Sequence, residues 1–447
     1  MIYNVGMVSL GCAKNLVDTE MMLGILNKEG YQLVSKEEDA DILIVNTCGF
    51  IESAKQESIN TIIKLAEYKK NGKCKTLIVA GCLAERYNEE LQKEIPEIDG
   101  IIGTGNFTEI LKVINKTLSG EKYINFGNQN SNFKEELPRM LTTASHTAYL
   151  KIADGCDHFC TYCIIPYLRG SYRSRKMQNI VNEAKLLSSQ GVKEFVIIAQ
   201  DITEYGKDIY GEIKLIELLK EITKIENVEW IRLLYSYPEN ISDELIILIK
   251  NNKKICNYID IPIQHINDNI LKKMGRNINR QEIINLIKRL RYFIPDIIIR
   301  TSLIVGFPGE KNEYFDELLD FIKTIELDHV GVFTYSKEEN TPAARLSNQI
   351  ELEIKEERKS KIMEAQQIIS LNKNKRKINK TYKVLIEGKV EKENVYYGRS
   401  YALAPDIDGL IYFKTNLSIK KGDYCFVKVI KALEYDLIGE VIDESCK

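Results

Sequence analysis

Over residues 1–120, short apolar runs alternate with longer stretches in which apolar residues recur at helical spacing. The runs at 4–10, 41–45 and 76–80 have the length and β-branched content of buried strands, whereas 17–29 and 51–70 carry the helical period. Strands separated by helices predict a small α/β domain with a parallel sheet. Residues 121–142 show neither period; Asn125, Gly127, Asn128, Asn130, Asn132 and Pro138 mark them as a linker. Between 143 and 372, six strand-like runs (148–153, 195–199, 230–235, 258–263, 297–305 and 329–335) are mostly followed by helical patterns. Such a series predicts a partial (βα)6 barrel, an open relative of the eight-fold barrel. A charged helix is expected over 351–380. Beyond it, five short runs (382–387, 395–403, 410–413, 424–430 and 437–441) predict a small all-β barrel within 373–443.

With 447 residues, 44% of them hydrophobic, the chain has material for two to four packed domains and is not disordered. A net charge of −2 gives no global pull toward nucleic acid, so RNA binding would need a local patch. Lys373, Lys375, Arg376, Lys377 and Lys380 form one basic run, although such runs are usually solvated helix faces. The first residues lack the basic and long apolar segments of a signal peptide, and no apolar run approaches the roughly 18–20 residues of a membrane span. A cytoplasmic protein is expected. In that compartment ten cysteines favour metal binding or catalysis over disulfides.

Cys156, Cys160 and Cys163 form a C-x3-C-x2-C run. Three thiolates so spaced suit three irons of a 4Fe–4S cluster and leave the fourth iron open, unlike the ferredoxin run C-x2-C-x2-C-x3-C. A zinc site would want a further Cys or His, and His158 is too tightly placed to join all three. Cys12, Cys48 and Cys82 are far apart in sequence, yet each follows the C-terminal end of an expected strand by one to three residues. Open parallel sheets gather ligands outside those ends, so these three can hold a second cluster, the alternative being coincidental strand capping. Gly11, Gly49 and Gly81 beside them would allow close backbone approach. Cys74 precedes its strand and should face the opposite edge; Cys256, Cys425 and Cys446 are read as structural.

The expected barrel strands end on one rim of polar and Gly/Pro-rich residues: Gln200-Asp201, Ser236-Tyr237-Pro238, Gln264-His265, Gly306-Phe307-Pro308-Gly309-Glu310 and Tyr335-Ser336. A reduced cluster with an open iron can bind S-adenosylmethionine and split it to a 5′-deoxyadenosyl radical, leaving the protein to position it and exclude water. Tyr162 is a candidate for the adenine, Gln200 and Asp201 for the ribose, and Gly306, Phe307, Pro308, Gly309 and Glu310 for the methionine part. Tyr162 is equally readable as a core aromatic, and Gln200 and Asp201 as helix-cap or loop contacts.

These features together resemble the radical S-adenosylmethionine methylthiotransferases over essentially the whole chain. That family combines an N-terminal domain bearing three dispersed cysteines, a C-x3-C-x2-C barrel and a C-terminal TRAM domain. The resemblance implies that Cys12, Cys48 and Cys82 ligate an auxiliary 4Fe–4S cluster that binds or supplies sulfur. Cys156, Cys160 and Cys163 would ligate the radical cluster, with one S-adenosylmethionine giving the methyl group and another the radical. Val8-Ser9-Leu10-Gly11-Cys12-Ala13-Lys14-Asn15, Arg169-Gly170-Ser171-Tyr172-Arg173-Ser174-Arg175, Tyr235-Ser236-Tyr237-Pro238 and Ile261-Pro262-Ile263-Gln264-His265 are similar to the branch that modifies an aspartate of small-subunit ribosomal protein twelve. So is Gly398-Arg399-Ser400 with Ala404-Pro405-Asp406-Ile407-Asp408-Gly409. Ala13 departs from a frequent proline and Leu403 from a usual acidic residue.

The implied partners are that ribosomal protein, free or in its subunit, and a reductant such as flavodoxin or ferredoxin. No membrane is implied, and tRNA only if the chain belongs to the branch acting on tRNA adenosines. An aspartate substrate brings a carboxylate, for which Arg173, Arg175 and His265 are candidates, unless they contact the cofactor or the surface. Glu391, Glu393, Asp406 and Asp408 would attract a basic ribosomal protein. A non-catalytic iron–sulfur or zinc protein that binds RNA is the reading from another class.

Overall fold

The computed structural model describes residues 3–127, 129–130, 137–391 and 393–442. Six parallel strands form the N-terminal sheet: β1 (Asn4–Ser9), β2 (Gln32–Val34), β3 (Ile42–Thr47), β4 (Thr76–Gly81), β5 (Gly100–Ile102) and β6 (Tyr123–Asn125), in the order β2-β1-β3-β4-β5-β6. Every residue of β3 and β4 is buried, which is why both read as unbroken apolar runs. β2, β5 and β6 are three residues each, too short to show a period. β6 forms inside the stretch expected to be a linker, because Ile124 pairs with Ile101 and extends the sheet. Residues 128 and 131–136 of that stretch, with Asn128 and Asn132, and the C-terminal Cys446 lie outside the described residues.

The central sheet begins with β7 (Thr147–Lys151). A two-residue antiparallel pair, β8 (Ala153–Asp154) and β9 (Arg173–Ser174), stands apart from it. β10 (Glu194–Ile198), β11 (Trp230–Leu233), β12 (Ile255–Asp260), β13 (Ile298–Val305) and β14 (His329–Thr334) then add in parallel, each beside its predecessor, to give the expected open six-stranded sheet. The apolar run at 258–263 overshoots β12 because Ile261 and Ile263 are buried in the rim beyond the strand. Helix Leu352–Lys375 leads into a closed barrel of β15 (Thr381–Lys389), β16 (Val395–Arg399), β17 (Ile411–Lys414), β18 (Tyr424–Ala432) and β19 (Leu437–Val441).

One apolar cluster joins all three parts. It contains Val17 and Met21 of helix Ala13–Lys28, Tyr149, Val196 and Trp230 of the central sheet, and Leu385, Ala404 and Tyr424 of the barrel. Beside it the fully buried Glu194 accepts from Arg232 Nε at 3.0 Å and Arg399 Nη2 at 2.6 Å, bonding sheet to barrel. Asp406 accepts from the Tyr149 hydroxyl (2.9 Å) and Asp408 from the Tyr258 hydroxyl (2.8 Å). Both carboxylates therefore help dock the barrel onto the sheet; the Asp408 side chain is buried and does not face a basic partner as the sequence suggested, whereas Asp406 remains exposed. Leu403 is buried in the barrel core. Lys373 pairs with Asp328 (2.6 Å) and Arg376 with Glu326 (3.5 Å), so the basic run is partly neutralised within the chain. Of the described cysteines, Cys425 is disulfide-bonded, against expectation, and the other eight are free thiols. No helix among the described residues is long and apolar enough to cross a membrane.

Candidate active site

Cys12 lies three residues beyond β1, and Cys48 and Cys82 directly follow β3 and β4, neighbouring strands of one sheet. Asn15 clamps two of the strand ends, its Nδ2 donating to the carbonyls of Leu10 (3.1 Å) and Thr47 (2.8 Å). Gly11 adopts φ +85°, and a Cβ there would lie 2.9 Å from Cys48 Sγ, so the Cys12 loop passes tightly against Cys48. A Cβ on Gly81 (φ +92°) would lie 2.3 Å from Asn46 Oδ1. The three thiols act on one another electrostatically. Burial, then Cys82, pushes Cys48 up to about 12, and burial raises Cys82 as well. Burial also opposes ionisation of Cys12, but Lys14 and Arg169 outweigh it and hold that thiol below its ordinary range. Cys74, at the far end of β4, bonds the Thr76 carbonyl (3.3 Å) and stays in the core.

Arg169 ends the short helix Ile165–Arg169 that follows Cys163. It crosses to the N-terminal triad, donating to Asn15 Oδ1, to Asp18 (3.2 Å) and to Asp154 (2.8 Å), while its charge acts on Cys82 and Cys12. The N-terminal triad is thus capped by a guanidinium from the central part of the chain.

Cys156 and Cys160 are buried and Cys163 half-buried, in a loop fixed at several points. Cys156 N donates to Gly170 O (3.1 Å), Thr161 N to Met274 O (2.9 Å), and Ala343 N to Thr161 O (2.9 Å). Cys160 Sγ meets the Tyr237 hydroxyl at 3.2 Å. His158 stacks on Tyr237 with ring centres 3.8 Å apart, and its Nε2 meets Asp201 Oδ2 at 2.7 Å. Its role is to brace the loop. Burial pushes Cys156 up to about 12 and raises Cys163 too. Phe159, Tyr235 and Gln264 hold positive φ (48°, 64° and 70°) on this rim, and strain of that kind concentrates at functional sites.

Gln200 Oε1, Ser236 Oγ, His265 Nε2, Arg276 Nε and Nη1, and Tyr335 Oη are buried on the same rim without a hydrogen-bond partner among the described residues. Buried polar groups are ordinarily satisfied, so a rim offering both donors and acceptors fits a polar, charged cofactor such as S-adenosylmethionine. Among the described residues no three His, Cys, Asp or Glu converge as the ligands of a single ion do. Thiolates that each bind a different iron of a cluster stand farther apart than that.

Tyr162 and Phe307 come together in an apolar cluster with Ile270, Met274, Tyr335 and Ala343. Gly306 and Gly309 (φ +72° and +79°) turn the loop around Pro308, but Glu310 Oε2 takes up the amides of Gly306 (2.7 Å) and Phe307 (3.2 Å). Those two donors are spent inside the loop, so what the segment can offer the methionine part is its other backbone groups. Gln200 donates to Asp154 (2.9 Å), which leaves its oxygen for a ligand. Asp201 is engaged by Thr203 as well as His158, which places it behind the cysteine loop.

Of the three substrate candidates, Arg173 and Arg175 are placed elsewhere and His265 is buried in the rim. Arg175 pairs with Glu183 (2.6 Å) and donates to Lys151 O (2.9 Å). Arg173 donates to the carbonyls of Ser171 (2.9 Å) and Arg169 (3.1 Å). Both line a cavity of about 740 Å³ that none of the six cysteines adjoins. His265 is fully buried, accepts from Asn267 N at Nδ1 (2.9 Å), and is pushed down to about 3 by burial and Arg358, so it carries no charge for a carboxylate. The cations that do stand at the cysteines are Lys14, Arg169 and Arg276. Only their nearness to Cys12, Cys163 and Cys160 along the chain or in the fold could have signalled them.

Three family models match the chain: an uncharacterized protein family, UPF0004, over residues 4–103, the Radical SAM superfamily over 150–322, and the TRAM domain over 378–442. The chain is 56% identical to the ribosomal protein uS12 methylthiotransferase RimO of Clostridium perfringens (strain 13), covering 100% of this chain and 99% of that one. It is 53% identical to the protein of that name from Acetivibrio thermocellus, over 99% of each chain. The chain belongs to the RimO family. It is accordingly a radical S-adenosylmethionine enzyme of the transferase class, and RimO membership implies a 4Fe–4S cluster and S-adenosylmethionine. Among solved structures it resembles the S-adenosylmethionine methyltransferase TsrM of Kitasatospora setae, with TM-score 0.55 and 13% identity over 77% of each chain. The radical enzyme OxsB matches with TM-score 0.52 and 14% identity, over 81% of this chain and 56% of that one. At such identities the likeness is one of fold.

Proposed function

We propose that this chain attaches a methylthio group to the β-carbon of an aspartate in ribosomal protein uS12, working with two 4Fe–4S clusters. Cys156, Cys160 and Cys163 would hold the radical cluster, and Cys12, Cys48 and Cys82 the auxiliary one. The carrying observation is that Arg169, six residues past Cys163, bonds the side chain of Asn15, which stands three residues past Cys12 and clamps the chain at Leu10 and Thr47, next to Cys48. When bound, the two clusters and S-adenosylmethionine would supply a hydrogen-abstracting radical at one triad and sulfur at the other. The chain's own part is positional. His158, Tyr237 and Asp201 brace the radical triad, Arg169 caps the auxiliary triad, and Gln200, Arg276 and Tyr335 offer hydrogen bonds to the cofactor. The names of the relatives support uS12 as substrate; a cytoplasmic setting and a small electron carrier such as flavodoxin or ferredoxin as reductant complete the proposal. The ion pairs of Lys373 and Arg376 weigh against a tRNA-binding surface there.

Anaerobic reconstitution should load about eight irons per chain, and reduction should release 5′-deoxyadenosine. Loading of about four irons would remove the auxiliary cluster from the proposal. In a deletion strain, mass spectrometry should find the methylthio mark missing from uS12 and present on tRNA; the opposite pattern would overturn the choice of substrate.

A further inference from the structure

Lys14 is 7% exposed, follows Cys12 by two residues, and lies with its ammonium 3.5 Å from the centre of the Tyr235 ring. Among the described residues it meets no carboxylate, whereas Lys151, Arg169, Arg175 and Arg358 each do. Its ammonium rests against the Tyr235 ring, which holds it in place while its capacity for a carboxylate stays unused. Lys14 follows Cys12 by two residues and lies against Tyr235 just past the end of β11, so it stands where the N-terminal triad meets the rim of the central sheet. Arg169, the other cation at Cys12, is already saturated by Asp18, Asp154 and Asn15. Tyr235, which carries Lys14 on its ring face, is held in the left-handed region (φ +64°) at the end of β11, so the ammonium is set by the rim of the central sheet.

The geometry points to Lys14 as the anchor for the carboxylate of the substrate aspartate. This rests on the proposed aspartate substrate and names the residue that selects it. The carbon to be functionalised is bonded directly to the carboxyl carbon. A cation that fixes the carboxylate at that junction therefore fixes the reacting carbon there as well, and a neutral substrate would gain nothing from it.

The test uses the reconstituted full chain, its Lys14→Met and Lys14→Arg variants, and two uS12 peptides, one with the target aspartate and one with asparagine in its place. Equilibrium binding, KM and kcat, iron content and the electron paramagnetic resonance spectrum are measured together. Loss of one charge-assisted hydrogen bond should weaken aspartate-peptide binding on the order of 10- to 100-fold in Lys14→Met. Iron content and spectrum should stay unchanged, Lys14→Arg should recover part of the affinity, and the preference for aspartate over asparagine should vanish in Lys14→Met. A Lys14→Met chain as selective as a selective parent overturns the anchor alone. A variant whose iron content or spectrum changes with binding intact also overturns it, and assigns Lys14 to the auxiliary cluster. A parent without preference for the aspartate peptide overturns the substrate reading, and the anchor with it.

Discussion

Replacing Glu194 with Gln should loosen the C-terminal barrel from the central sheet. Glu194 is fully buried, and Arg399 and Arg232 overcome the cost of burial to hold its carboxyl at about 2 instead of the ordinary 4.5. That depression corresponds to about 3 kcal/mol of stability from the ionised form. It agrees with the roughly 3–5 kcal/mol lost when one partner of a buried ion pair is removed. Trp230, the only tryptophan, is a local reporter, because its ring lies edge-on to Tyr424 of the barrel at 5.2 Å. In urea, the Trp230 fluorescence transition of Glu194→Gln should move down by about 1–3 M, given a slope of about 1–3 kcal/mol per molar. Because the folded pKa is depressed, the stabilisation is complete above pH 4.5 and disappears as pH falls through about 2, so parent and variant should converge in acid. Coincident transitions at pH 7, or a gap that persists at pH 2, would refute the reasoning.

Glu310 is the opposite case: burial, only partly offset by Arg358 and the two loop amides, raises it to about 7. Its contribution is complete below 4.5 and lost as pH rises through about 7, so denaturation midpoints should fall across that window in the parent and stay flatter in Glu310→Gln. In a chain with Cys156, Cys160 and Cys163 changed to Ala, adding Arg169→Met removes a cation beside the remaining thiols. The midpoint potential of the auxiliary cluster should drop by about 60 mV or more, a tenfold change for one electron, and an unmoved potential would release Arg169 from that role. Arg175→Met should cost about 3 kcal/mol in denaturation experiments by breaking the buried pair with Glu183, yet leave KM for the uS12 peptide where it was.

Much of the architecture was legible because its strands are buried on both faces. β3 and β4 show as bare apolar runs, and the six strands of the central sheet follow one another in space as in sequence. Strand ends were enough to group Cys12, Cys48 and Cys82, since a parallel sheet brings such ends to one edge. Charge was read less well. Arg175 and His265 look like ligands in the sequence, and only the fold reveals that one is already paired and the other is too buried to ionise. Asp406 and Asp408 looked like a docking surface, yet both accept from tyrosines of the central sheet, Tyr149 and Tyr258, and the Asp408 side chain is buried. Lys14 and Arg169 were not singled out as site residues for the converse reason: Tyr235 lies 221 positions from Lys14 and Asp18 151 positions from Arg169, separations no local pattern encodes.

The capping of the N-terminal triad by Arg169 also sets an order of events during synthesis. Cys12, Cys48 and Cys82 emerge from the ribosome while the residue that covers them is still untranslated, and at about 5–20 residues per second that interval lasts several seconds. Glu338, which clamps Arg86 at 2.6 Å, arrives later still. The growing chain thus presents its first three thiols to the cell uncovered until Arg169 and the elements that carry it have been made.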